Sequence, residues 1–277
     1  MTSRADQTVL TTGANSGIGL ATVIEVARNG FHSAGTVRSK AKGEAVAAAA
    51  AAAGVEVDTF VLDVTDADRC AEVIEQVRPW GLVNNAGFSG LGAVEDVPDE
   101  EARMQLEAMV IAPMRLSRLS LPHMRAGGGG RIVNISSIYG RTTTPLSGWY
   151  QASKHALEGV SDALRMEVAQ DGIKVILIEP GGFKTGIWEE NEKAIRQREE
   201  HGTRFAGAYR RTLSTTRLAD PIMGEPASCA KVVVRSLTAR LPRARYLVGV
   251  DAQVLALASN LTPTMMKDWV TRTVLGL

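Results

Sequence analysis

Short apolar runs and longer amphipathic stretches alternate along most of this chain. QTVLTTG, HSAGTVRS, VEVDTFVLDV, GLVNNAG, RIVNISS, IKVILIEP and YLVGV are rich in Val, Ile, Leu and Thr and bounded by Gly, Pro or Asn, the composition of strands. Between them, 17–30, 67–80, 96–126, 149–172 and 227–240 read as helices from their apolar spacing. So does 44–53, where Ala47–Ala53 is an unbroken run of the best helix former. Strands alternating with helices six or more times imply a parallel sheet with right-handed crossovers: an α/β, doubly wound, three-layer fold. IKVILIEP is almost continuously apolar, as expected of a strand covered on both faces. The long helix 96–126 should bend near Pro113, and Gly127–Gly130 reads as a surface linker. Residues 186–225 change character to charged and helical, and read as a substrate lid within a single domain spanning 1–277. The final MMKDWVTRTVLGL reads as a packed terminal helix, with a membrane or partner contact as the alternative.

Composition narrows the classes. The 277 residues, 45% hydrophobic and 22% charged with net charge +1, suit one large soluble domain. No Lys/Arg block stands out, so nucleic acid is not an expected partner. Cys70 and Cys229 are far apart and outside any CxxC context, which fits a reducing, cytoplasmic setting. No secretory signal and no membrane span are expected. His32, His123, His155 and His201 have no metal-ligand spacing, so no metal is expected.

Chemistry collects at the predicted carboxyl ends of the strands. In the turn TGANSGIG, Gly13 permits a tight turn and Gly17 lets the backbone approach a pyrophosphate. Gly19 lets the following helix pack closely and aim its amides at an anion, with Asn15, Ser16 and Ile18 completing the loop. The spacing GxxxGxG is neither GxGxxG nor a phosphate-binding loop, and a plain glycine turn is the alternative. The second strand ends in Arg38 and Ser39 where a carboxylate would select NAD; a guanidinium there suits a 2′-phosphate, with a surface arginine as the alternative. Asp63 and Val64 offer a place for an adenine ring. Asn85, Ala86 and Gly87, after Asn84, put an amide and small residues beside a cofactor. Pro180, Gly181 and Gly182 form a loop where ligands of such sheets bind. The Asn134-Ile135-Ser136 sequon lies in a predicted buried strand and is discounted.

Ser137, Tyr150 and Lys154 carry the reactive groups. On a helix, Tyr150 and Lys154 share a face. An ammonium about 4 Å from the phenol, at an effective dielectric of about 20, favours phenolate by roughly 4 kcal/mol, against which desolvation works. The expectation is a tyrosine brought near neutrality, with Ser137 delivered from a strand end to hold the reacting oxygen.

Together, TTGANSGIG, LDV, NNAG, the Ser137–Tyr150–Lys154 trio and EPGGFKT resemble the short-chain dehydrogenase/reductase family, in its order, over Thr8 to about Thr185. The resemblance implies a Rossmann-type sheet. Tyr150 would be the acid/base, Ser137 would orient the substrate oxygen, and Lys154 would lower the tyrosine pKa and bind the nicotinamide ribose. Thr185 would lie near the carboxamide. TVRS and YLVGVDA are similar to the branch containing 17β-hydroxysteroid and retinol dehydrogenases, which implies a preference for NADP(H), with NAD(H) as the alternative, and a lipophilic alcohol, ketone or aldehyde. It also implies a homodimer or homotetramer through the helices at Glu100–Arg125 and Tyr150–Gln170. Their stripes would be Leu106/Met109/Val110 and Leu157/Val160/Leu164. Phe88, Leu91, Trp149, Phe183 and Trp188 suggest an apolar pocket or lid packing. One departure is Met109, where the family usually has an asparagine that helps hold a proton-relay water. It motivates a rival reading, an NADP(H)-binding regulatory protein with little or no turnover.

Overall fold

The computed structural model describes residues 3–219 and 223–277. Among these, seven parallel strands form one sheet: β1 (Thr8–Thr11), β2 (His32–Val37), β3 (Asp58–Val61), β4 (Gly81–Asn84), β5 (Gly130–Ile135), β6 (Ile173–Pro180) and β7 (Arg245–Val248). Their order is β3-β2-β1-β4-β5-β6-β7. The order reverses between β1 and β4, so a crevice opens above their carboxyl ends. Helices α1 (Gly17–Arg28), α2 (Lys40–Ala52) and α3 (Ala67–Val77) follow the first three strands. After β4 come α4 (Asp99–Leu106) and α5 (Ala112–Ala126), then α6 (Gly148–Glu167) after β5. The chain continues with α7 (Ile187–Glu200), α8 (Ala206–Ala219) and α9 (Pro226–Thr238), and ends with α10 (Val250–Leu261) and α11 (Thr264–Leu275).

Strand side chains alternate between faces, and successive residues accordingly enter different cores. Leu10, Leu82 and Ile132 pack with Leu116 and Met124 of α5 on one side of the sheet. Val9, Val83 and Val133 pack with Val233 and Leu237 of α9 on the other. The three-layer expectation holds.

Local details differ from expectation. Gly130 begins β5 instead of ending a linker. Helix α6 stops at Glu167, and a short 3₁₀ turn leads to Gly172 in a left-handed conformation (φ 72°). The bend before Pro113 is a π turn, Glu107–Ile111, between α4 and α5. Proline supplies no N–H to the carbonyls of the preceding turn, and the wider turn accommodates that loss.

The segment after β6 is firmly docked. Arg198 of α7 donates to Leu91 O (2.8 Å) and Asp96 O (2.7 Å) in the connection after β4 and to Glu101 (2.7 Å) of α4. Buried Tyr209 of α8 accepts from Ala93 N (2.6 Å) and donates to Asp96 (2.8 Å). Its charged sequence is thus partly a set of long-range ties; residues 220–222 of the expected lid lie outside the described residues. Helix α10 packs Ala252 and Ala256 on Ile138. The terminal helix expected at the C-terminus is present and tied to α8 through Arg211 and Leu275 O, but it does not pack by its apolar side: α11 leaves Met265, Met266, Trp269, Val270 and Val274 exposed. Among the described residues no helix is long and apolar enough to cross a membrane.

Candidate active site

The glycine turn lies at the mouth of the crevice. Gly13 and Gly17 have φ of 66° and 53°, conformations glycine adopts without steric cost. A Cβ on Gly19 would sit 2.2 Å from Gly13 O and 2.5 Å from Asn85 Nδ2, so only glycine lets α1 start this close to the sheet. Ser16 precedes α1 without capping it through its side chain, which leaves the first-turn amides available to an anion. Asn15 donates to Ser16 Oγ (3.4 Å), and Ile18 packs toward the α9-side core. Asn85 ties the next loop to this turn: its Nδ2 donates to Thr12 O (2.9 Å) and Gly13 O (3.2 Å). Thr12 Oγ1 accepts from Asn85 N (3.0 Å) and Ala86 N (2.9 Å). Thr12, the first residue of the turn, is not among the expected binding residues, because nothing near it in sequence signals a tie to residues 85 and 86.

Arg38 and Ser39 are exposed at the end of β2, and Ser39 caps α2 by accepting from Lys42 N (3.4 Å). Asp63 accepts from Thr65 N (3.0 Å) and Thr65 Oγ1 (2.8 Å). Those bonds, with a smaller contribution from Arg38, hold its carboxyl below the usual range. Val64 is buried next to it. On the far side of the crevice Thr185 approaches the turn: a Cβ on Gly17 would lie 3.0 Å from the Thr185 methyl.

Ser137, Tyr150 and Lys154 converge beyond the end of β5. Ser137 caps the short 3₁₀ turn Ile138–Gly140, accepting from Tyr139 N (3.1 Å), and hydrogen-bonds Tyr150. Lys154 is buried, 7% exposed. Its Nζ donates to Ile135 O (2.9 Å) and stands 5.7 Å from the Tyr150 ring centre. The near-neutral tyrosine is not found. Burial pushes Tyr150 up to about 12 despite the Ser137 hydrogen bond, with Tyr139 adding to the rise. Burial also brings Lys154 down to about 8, opposed by the Glu158 carboxylate. Desolvation outweighs attraction because the ammonium is directed to a strand carbonyl and stands back from the ring. At neutral pH Tyr150 is therefore a phenol with a proton to give.

Three further residues shape this corner. The Tyr139 ring meets Tyr150 edge-on at 6.4 Å. Glu158, one turn beyond Lys154, accepts from Arg245 (2.9 Å), which also approaches buried Glu179 (3.3 Å). Asp251 of α10 accepts from Gly182 N (2.6 Å), and Gly181 N donates to Val248 O (2.9 Å). A Cβ on Gly181 would sit 2.1 Å from the Asp251 carboxylate. The Pro180–Gly182 loop is thus braced from the C-terminal region, which sequence reasoning did not connect to it.

Two apolar expectations change. Phe183 is in the core against α9, not in a pocket. Met109 is 1% exposed and packs on Gly87, whose Cβ would lie 3.4 Å from its Cγ; Leu157 is equally buried. Neither can serve an interface stripe. Leu91 and Leu146 form a small core with Ile195, Ala208 and Tyr209 of α7 and α8.

A Rossmann-type sheet with an anion-receptive glycine turn beside a hydroxyl–phenol–ammonium cluster is the build of a dinucleotide-dependent oxidoreductase. Residues 7–196 match the short chain dehydrogenase family, and the chain belongs to that family. It is 31% identical to the 3-ketodihydrosphingosine reductase of Bacteroides thetaiotaomicron, covering 96% of this chain and 97% of that one. It is also 31% identical to the NADPH-dependent 3-dehydrocapnine reductase of Ornithobacterium rhinotracheale, covering 93% of each. A short-chain dehydrogenase structure from Streptomyces avermitilis superposes with a TM-score of 0.77 at 32% identity, covering 98% of this chain and 96% of that one.

Proposed function

We propose that this chain reduces a lipophilic ketone or aldehyde with NADPH, the reverse oxidation being the same chemistry run backward. The observation that carries this is the Ser137–Tyr150–Lys154 cluster, with a protonated phenol hydrogen-bonded to Ser137 and a buried amine behind it. The glycine cradle fits a dinucleotide, since a side chain at Gly19 would close it. In this reading the amides of Gly13–Gly19 receive the diphosphate, and Arg38 with Ser39 takes the 2′-phosphate. Asp63 and Val64 flank the adenine, and Asn85, Ala86 and Gly87 form the wall of the cleft. Pro180, Gly181 and Thr185 border the nicotinamide, with Tyr150 and Lys154 on its ribose. The bound nicotinamide supplies hydride to the carbonyl carbon. Ser137 donates a hydrogen bond to the carbonyl oxygen, and Tyr150 transfers its proton to that oxygen as charge develops. Lys154 stabilises the phenolate left behind. Helices α7 and α8 cover the substrate, and the reductive direction is supported by the relatives named 3-ketodihydrosphingosine reductase and NADPH-dependent 3-dehydrocapnine reductase. Exposed Met104, Ile111, Val160 and Met166 on α4, the π turn and α6 favour a homodimer or homotetramer.

The rival reading, a regulatory NADP(H)-binding protein, rests on Met109. Against it stands the intact Ser137–Tyr150–Lys154 trio, which a protein that only binds cofactor has no need of. This favours the enzyme. The test is NADPH oxidation with long-chain 3-keto amines, retinoid aldehydes and steroid ketones. Turnover with any of them supports the enzyme; tight NADPH binding with turnover of none supports the rival.

Two substitutions probe the cofactor site. Arg38→Asp is expected to reverse an NADPH preference, since a charge-assisted contact contributes about 1.5–3 kcal/mol, roughly ten- to hundredfold. Equal NADPH and NADH affinities in the parent would remove the assignment. Asp251→Ala is expected to raise the NADPH dissociation constant by up to about tenfold, while Asp251→Asn, which still accepts from Gly182 N, changes it little. Equal losses in both variants would show that the charge, not the brace, matters.

A further inference from the structure

Helix α11 is oriented opposite to a core helix. Its half-buried residues, Lys267, Thr271 and Leu275, recur every fourth position and so share one face. Lys267 Nζ donates to Ser259 O (3.1 Å), and Arg211 of α8 donates to Leu275 O (2.8 Å). On the other side, Met265 (85% exposed), Met266, Trp269 (69%), Val270 and Val274 stand in solvent. At about 100° per residue these side chains fall within one arc of roughly 180°. The preceding helix adds exposed Leu257 and Leu261. A contiguous apolar face of this kind marks an interaction surface.

We infer that this face docks onto the surface of an anionic lipid bilayer. The helix presents its polar side to the protein and its apolar arc outward, the orientation of a helix lying in a membrane interface. On the helical wheel Lys267 and Arg272 fall at the two borders of the arc, and Arg211 lies behind it. Asp268 is the one carboxylate of α11 against these three cations, so the charge complements anionic headgroups while the lysine and arginine stems can snorkel. Trp269 lies within the arc, and an indole favours the headgroup boundary. A seam for a second copy would instead carry branched aliphatics along its whole length at three- and four-residue spacing; here only Val270 and Val274 are of that kind, and two methionines, a tryptophan and Thr273 occupy the rest of the arc. Docking also has a consequence for access. Helix α8, on which α11 rests, contributes Ala208 and Tyr209 to the apolar cluster with Leu91 and Leu146. The cover proposed above the substrate would then lie close to the phase into which a lipophilic carbonyl partitions.

The experiment is co-sedimentation of the full chain, without cofactor or substrate, with phosphatidylcholine vesicles and with mixed phosphatidylglycerol–phosphatidylcholine vesicles. It is therefore independent of the reductase reading. Binding to the mixed vesicles is expected, weakened by salt and by omission of phosphatidylglycerol. Trp269→Glu and Val274→Glu are both expected to lower it by about tenfold or more, at unchanged melting temperature and unchanged mass by light scattering. No binding of the parent to mixed vesicles overturns the inference. So does a fall in oligomer mass in either variant, which would assign the face to a second copy.

Discussion

Tyr150→Phe is expected to lower reductive kcat by about 10³-fold, within the roughly 10²–10⁴-fold contributed by a positioned general acid, while NADPH affinity falls by no more than about fivefold, the loss of one neutral hydrogen bond of about 1 kcal/mol to the ribose. The reasoning is specific to the lost atom. The phenyl ring still meets Tyr139 edge-on, and Lys154 still donates to Ile135 O. The transferable proton, the hydrogen bond with Ser137 and the proposed ribose contact disappear, and nothing else changes. The parent should also show a characteristic pH dependence. Burial holds Tyr150 protonated far above neutrality, so the acid remains available. Lys154 loses its proton near 8, and with it the charge that stabilises the departing phenolate. Reductive kcat/KM should therefore be level near neutrality and fall as pH rises through about 8. If Tyr150→Phe kept a tenth or more of the parent rate, the proton would come from elsewhere, and the Tyr139 hydroxyl would be the first group to test by Tyr139→Phe.

What could be read before the fold was known follows from where the information sits. Glycine turns, the NNAG loop and the Ser137–Tyr150–Lys154 spacing are local, and each motif needs particular residue types within a few positions. The strand–helix alternation is local too, and it leads directly to the parallel sheet. The tyrosine pKa was misjudged because helical adjacency implies an ammonium next to the phenol, whereas β5 draws Lys154 to the Ile135 carbonyl and the surrounding layers desolvate both groups. Arg198 and Asp251 find partners a long way off in sequence, in loops whose own composition gives no hint of them. Met109 and Phe183 have apolar side chains that suit an interface, a pocket or a core, and only packing decides among these. Periodicity likewise shows that 264–275 is amphipathic without saying which side meets the protein.

Lys154→Met is expected to have effects of opposite sign on activity and stability. Turnover should fall by about 10²-fold or more, because the phenolate loses its counter-charge. The free protein should nevertheless become more stable at pH 7. Lys154 has its folded-state pKa lowered from 10.5 to about 8, so the fold disfavours the charged form. Below about pH 8 the native protein keeps an ammonium buried at a cost of roughly 3 kcal/mol. Between 8 and 10.5 the unfolded chain binds more protons than the native one, and the parent's stability rises through that window. Methionine removes the charge and retains a flexible stem of similar length. It also leaves Ile135 O without its donor, a loss of about 1 kcal/mol. The net gain near neutrality is about 2 kcal/mol, or about 4–8 °C in melting temperature for a domain of this size. Near pH 10 the parent's lysine is neutral in the native state and only partly charged when unfolded, so the burial cost shrinks to below about 1 kcal/mol, the lost hydrogen bond offsets it, and the gain should vanish. Thermal melts of both proteins at pH 7 and near pH 10 decide the matter. A methionine variant that melts at or below the parent at pH 7, or a gain that does not shrink with pH, would show that the Lys154 ammonium is accommodated without strain on the fold.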